Sequence, residues 1–113
     1  MQKKTAPLLA SLAAAMMFVC APASATIVLV KTSMGNFEVN LFDQTTPATV
    51  NNFLAYVKNG SYQNTIFHRS VSGFVLQGGG FRFSGDNSAP FSAVAQLAPI
   101  VNEPKLSNLR GTI

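Results

Sequence analysis

The residues best placed to do chemistry stand close together. Arg69 ends an apolar run and is followed within eight positions by Phe74, Val75 and Gln77. If both segments are strands of one sheet, the four line one surface: an apolar wall, a rigid guanidinium with five N–H donors, and one amide. Such a surface suits an extended peptide carrying a small apolar ring. Taken singly, each residue also has an ordinary use. Arg69 can be a solvated strand-end charge, Phe74 a core residue and Gln77 a turn cap.

Other chemistries find little support. The one histidine, His68, has no neighbouring nucleophile, and the only cysteine is Cys20. A zinc site therefore lacks ligands, and no metal or other cofactor is expected. The four acids, Glu38, Asp43, Asp86 and Glu103, are scattered, which argues against a paired-carboxylate site. Gly78-Gly79-Gly80 lacks the Gly-Lys-Ser/Thr ending of a phosphate loop and reads better as a bulge where backbones pass closely.

The elements that must position these residues follow from local pattern. Thr26 to Thr32 is a β-branched run, and Phe37 to Leu41 alternates apolar and polar. With Ser33-Met34-Gly35-Asn36 between them they make an antiparallel hairpin. Thr46 as N-cap and Pro47 as first residue open a helix whose stripe is Val50, Phe53, Leu54 and Val57, with Gly60 closing it. The stripe is expected to pack on the hairpin. Thr65–Arg69 and Phe74–Gln77 read as strands joined by residues 70–73. Residues 84–99 read as a loop and Ile100–Glu103 as a short strand.

The amino-terminal residues carry different information. Lys3 and Lys4 precede an apolar stretch from Pro7 to Val19, and Ala23-Ser24-Ala25 follows. That is the pattern of a secretory leader, 1–25, removed by a cut after Ala25. Met17-Phe18-Val19 before Cys20 lacks the small residues of a lipoprotein site. Losing residues 1–25, with Lys3 and Lys4, takes the formal charge from +4 to +2 and leaves 88 of 113 residues. No nucleic-acid partner is expected from so small a charge, and no membrane association once the leader is removed, since its apolar stretch is too short for a spanning helix of about 20 residues. With 48 % apolar and 11 % charged residues, the chain is a folding one.

Phe67-His68-Arg69 followed by Gly73-Phe74-Val75-Leu76-Gln77-Gly78-Gly79-Gly80-Phe81 closely resembles the signature of cyclophilin-type peptidyl-prolyl cis-trans isomerases. Thr32 to Phe42, Pro47 to Phe53, Gly60-Ser61-Tyr62, Ile100 to Glu103 and Arg110 to Ile113 resemble further family segments, in order. The leader and the triple glycine are similar to the periplasmic bacterial branch. The resemblance implies a mainly β fold, an antiparallel barrel with a flanking helix. Residues 26–113 would be its N-terminal part, and the barrel would be incomplete in this chain. It implies isomerisation of X-Pro bonds in exported proteins, with proline-containing unfolded or extended polypeptides as partners. By the same resemblance Arg69 is the catalytic arginine, Phe74 the floor of the proline pocket, Val75 an apolar wall where Met or Leu is usual, and Gln77 a hydrogen-bonding partner of substrate backbone. Ser72 replaces a common proline. The family's later pocket segments would follow Ile113, so this chain alone is expected to fold poorly or lack activity. The competing reading is a non-catalytic proline-peptide binding module or holdase, or an inactive fragment.

Overall fold

β-Branched residues, alternation and a glycine-containing turn translate directly into the first element pair. In the computed structural model, which describes residues 24–113, β1 (Ile27–Thr32) and β2 (Gly35–Asn40) pair antiparallel from Ile27↔Asn40 to Thr32↔Gly35. The expected leader lies outside the described residues except for Ser24 and Ala25. The loop is Ser33-Met34; the Thr32 hydroxyl accepts the Met34 N–H (3.1 Å) and donates to the Gly35 carbonyl (2.6 Å). Gly35 takes a positive φ of 129° there, and Asn36 does not. One face of the hairpin carries Val28, Val30, Phe37 and Val39. The other places Leu29 opposite Glu38 and Lys31 opposite Asn36.

Helix α1 (Pro47–Lys58) follows with its proline at the start, and its Val50 is buried. Phe53 and Leu54 are half-buried, while Val57 is exposed. The Cα trace of α1 stays more than 8 Å from that of every strand. Its aromatic and hydrogen-bonding partners lie in loops: the Phe53 and Tyr56 rings lie 5.5 and 5.8 Å from that of Tyr62, and the Tyr56 hydroxyl accepts the Leu97 N–H at 2.7 Å.

Both helix ends show how orphan backbone groups are satisfied. The Thr46 carbonyl accepts the Val50 N–H, but its side chain makes no cap bond. Glu103 caps the helix from 54 residues away. Its carboxylate accepts the Thr49 N–H and hydroxyl, both at 2.8 Å, and the Ala48 N–H at 3.3 Å. At the other end Asn59 is the C-cap and Gly60 takes φ 75°. The Gly60 N–H donates to the Val57 carbonyl and the Ser61 N–H to that of Tyr56, a Schellman closure.

The second sheet has the order β3-β4-β5, with β3 (Thr65–Val71), β4 (Val75–Phe83) and β5 (Phe91–Ala93), all antiparallel. It corrects three expectations. Phe74 lies in the turn, not in a strand, because the Val71 carbonyl takes the Phe74 N–H and Gly73 sits at φ 72°. The region 84–99 is not all loop: β5 forms within it, its Phe91 ring 6.1 Å from that of Phe83. Ile100–Glu103 is not a strand, since it has no partner edge and the neighbouring chain is held to α1 through Leu97 and Glu103.

The fold is thus mainly β with one helix and no closed barrel among the described residues. The two most enclosed apolar side chains, Leu41 and Val50, are each 6 % exposed. No helix among the described residues is long and apolar enough to cross a membrane.

Candidate active site

A hairpin places residues by register, and here it pairs Arg69 directly with Gln77 and Val71 with Val75. Cross-strand partners share a face, so Arg69, Gln77 and Val75 lie on one side of the β3–β4 hairpin. The Arg69 Nη1 donates to Gln77 Oε1 at 3.4 Å. Its guanidinium carbon stands 5.6 Å from the centroid of the Phe74 ring, within cation–π range. The turn that corrects Phe74's place in the sheet therefore also carries its ring over to the arginine.

This face is open to solvent. Phe74 is 75 % exposed, Arg69 and Gln77 are exposed, and Val75 is half-buried. Gln77 occupies one of the guanidinium's five donors and leaves the others for an incoming group. The amide's own NH2 remains able to donate to a carbonyl. Fixed donors beside an exposed aromatic ring and a valine are chemically suited to hold a polypeptide segment with an apolar ring.

The triple glycine follows Gln77 along β4. The β3–β4 register shifts twice, between Thr65 and Phe67 and between Phe67 and Arg69, and the glycines fall in that irregularity. A Cβ on Gly78 would come within 2.5 Å of Phe67 Cδ1 and 3.0 Å of the Ile66 carbonyl oxygen. Gly79 takes φ 85° with the Tyr62 ring 3.0 Å from its would-be Cβ. The run is a strand bulge at a close backbone passage, as its lack of a phosphate-loop ending implied.

His68 points its ring edge-on to Phe81, centroids 5.1 Å apart, and with Ile66 and Phe91 they line a separate concavity. It takes no part in the Arg69 cluster. Three supports had no local signal in the sequence. Glu103 caps α1 from a distant loop. Arg82 donates to the Gly60 and Ser61 carbonyls at 3.4 and 3.1 Å, tying β4 to the helix end. Tyr62 bridges α1 and Gly79, and burial, with Tyr56 beside it, pushes its phenol above the ordinary value.

Comparison with known proteins identifies the family of the chain. Residues 27–113 match the family model described as cyclophilin type peptidyl-prolyl cis-trans isomerase/CLD. Peptidyl-prolyl cis-trans isomerase A of Dickeya dadantii is 46 % identical over 95 residues, covering 82 % of this chain and 47 % of that protein. A peptidyl-prolyl cis-trans isomerase of Acinetobacter baylyi is 42 % identical over 90 residues, 78 % of this chain and 45 % of that protein. Peptidyl-prolyl cis-trans isomerase B of Escherichia coli is 43 % identical over 84 residues, 73 % of this chain and 48 % of that protein. The chain spans about half the length of the curated relatives it matches. No solved structure matches it. A family match over residues 27–113, with the Arg69 and Gln77 hairpin inside it, makes this chain a member of the cyclophilin-type peptidyl-prolyl cis-trans isomerase family.

Proposed function

We propose that the protein accelerates cis-trans isomerisation of X-Pro bonds in extended polypeptides, with Arg69 as its catalytic residue. The supporting observation is the Arg69–Gln77 pair, 3.4 Å apart on one hairpin face, with the guanidinium 5.6 Å from the Phe74 ring centre. The family of the chain and the names of its relatives support the same reading.

The barrier to rotation is about 18–20 kcal/mol because the nitrogen lone pair is delocalised into the carbonyl. Twisting the bond returns that pair to nitrogen, which pyramidalises and becomes a hydrogen-bond acceptor. Arg69 donates to it at that moment and much less to the planar ground state, the differential interaction that catalysis requires. Phe74 and Val75 hold the proline ring against apolar surface. Gln77 orients the guanidinium through Oε1 and donates from its NH2 to substrate backbone. No bond is made or broken, so no proton or electron has to be relayed.

The leader pattern of residues 1–25 supports export, with residues 26–113 as the N-terminal part of the isomerase domain and the periplasm as its compartment. Exported polypeptides that fold there are the substrates.

The test is a proline-isomerisation assay on the protein as its own cell makes it, with two variants. Arg69→Ala is expected to lower kcat/KM by about 100-fold or more, the scale of deleting one transition-state donor. Arg69→Lys keeps the charge and loses the planar fork, and is expected to lose at least about tenfold. A passive binding module would tolerate Arg69→Lys and show no turnover. Wild-type rates in both variants would overturn the assignment.

A further inference from the structure

Asp43, just past β2, reaches back to the residue that would begin the mature chain. Its Oδ2 accepts the backbone N–H of Thr26 at 2.7 Å, and its Oδ1 accepts the Thr26 hydroxyl at 2.8 Å. The Thr26 carbonyl in turn accepts the Leu41 N–H at 2.8 Å. Thr26 is thus held through backbone N–H, carbonyl and side chain. Ser24 and Ala25, immediately before it, are exposed and have no regular structure. A small concavity of about 170 Å³ runs between them and residues 41–45, and Asp43 is the one titratable group lining it.

We propose that hydrolysis of the Ala25–Thr26 peptide bond, in which water gives its oxygen to the new Ala25 carboxylate and its two protons to nitrogen, turns the Thr26 nitrogen into an ammonium that Asp43 holds as an ion pair, so that maturation fastens β1 at its first residue. The inference rests on the leader reading given above. The distances suit it. The nitrogen already in contact with the carboxylate is the one that gains two protons and a charge, and a charge-assisted bond is stronger than the neutral one it replaces. The cut also falls where the held chain begins. A cut one residue later would remove the nitrogen that Asp43 grips, and a cut well before it would leave an ordinary amide there. Consistent with the geometry, Asp43 is held below the usual carboxylate range, chiefly by the Thr26 backbone N–H and then by its hydroxyl.

The experiment uses the exported protein recovered from its cell. Intact mass and amino-terminal sequencing give the first residue, and the Thr26 carbon shifts followed by NMR across pH give the titration of the terminal amine. An unpaired α-amine titrates near pH 7.7–8.0. The expected result is a chain starting at Thr26 whose amine titrates about one pH unit higher, and returns to the ordinary range in Asp43→Asn. A second variant inserts one alanine between Ala25 and Thr26. It keeps Asp43 but moves the ammonium one residue away, and should also return to the ordinary range. A chain starting elsewhere overturns the cleavage reading and the ion pair with it. A start at Thr26 with the same titration in wild type and both variants overturns the ion pair alone.

Discussion

The three consecutive glycines after Gln77 should respond to alanine in sharply different ways, and the structure sets the order. At Gly78 the new methyl would lie 2.5 Å from Phe67 Cδ1 and 3.0 Å from the Ile66 carbonyl oxygen. The Phe67 ring is 47 % exposed and can swing away, but the carbonyl belongs to the paired strand and cannot. Overpacking of this kind costs about 1–3 kcal/mol, offset by about 0.4–1 kcal/mol from the stiffer unfolded chain. At Gly79 the φ of 85° costs an alanine about 1–2 kcal/mol, and the Tyr62 ring at 3.0 Å must also give. At Gly80 nothing but His68 Cε1, at 4.0 Å, is within reach and φ is ordinary. Gly80→Ala should therefore be neutral or stabilising by up to about 1 kcal/mol. Urea unfolding followed by circular dichroism reads the difference. A net cost of about 1.5 kcal/mol with a slope of 1–3 kcal/mol/M lowers the midpoint by about 0.5–1.5 M for Gly78→Ala and Gly79→Ala. Gly78→Ala should also lower kcat/KM, because Gly78 adjoins the residue that orients Arg69. Equal midpoints for Gly78→Ala and Gly80→Ala would refute the close-passage argument.

Two further outcomes follow from single contacts. Phe74→Ala should leave stability within about 0.5 kcal/mol, since the ring is 75 % exposed, yet lower kcat/KM on an X-Pro peptide by about tenfold or more; a parallel loss of both would make Phe74 structural. Glu103 is held below its usual range, first by the Thr49 backbone N–H, so its share of stability is present above its unfolded value, about 4.3, and is lost as pH falls through the lower folded one. Thermal melts from pH 6 to pH 3 should therefore fall more steeply for wild type than for Glu103→Gln, and parallel curves would remove the cap from the account.

The hairpin β1–β2 and helix α1 were legible because each is written in neighbouring residues. Alternation, a proline at the helix start and a glycine at its end are local signals that the structure uses, while the expected turn Ser33–Asn36 narrows to Ser33-Met34 because Gly35 and Asn36 pair in β2. What was not legible depends on partners far along the chain. Thr46 has a good N-cap side chain, but a carboxylate 54 or 55 residues away already satisfies the first helical N–H groups. β5 has only three residues and exists because the β4 edge offers it a ladder. Ile100–Glu103 has strand composition and no such edge, so composition alone misleads there.

The same distinction explains the candidate site. Arg69 and Gln77 are separated by one turn, so their approach is close to a local property of the hairpin. The same unbroken register from Val71↔Val75 gives them a common face, and only the pairing beyond them is not local. Counting from Thr65↔Arg82 to Arg69↔Gln77, β3 advances four positions and β4 advances five. In a regular ladder the two strands advance together, and a one-residue offset sends a side chain to the opposite face. The extra residue in β4 is what lets Arg82 pair opposite Thr65 while Gln77 pairs opposite Arg69. That residue is absorbed where the glycines lie, at the one place where Phe67 leaves no room for a side chain and Tyr62 presses on the backbone. The turn at 72–74 thus sets the amide opposite the arginine, since the register runs unbroken from Val71↔Val75 to Arg69↔Gln77. The glycine run resets the register beyond that pair, and so decides that Arg82, which donates to the Gly60 and Ser61 carbonyls at the helix end, stands opposite Thr65.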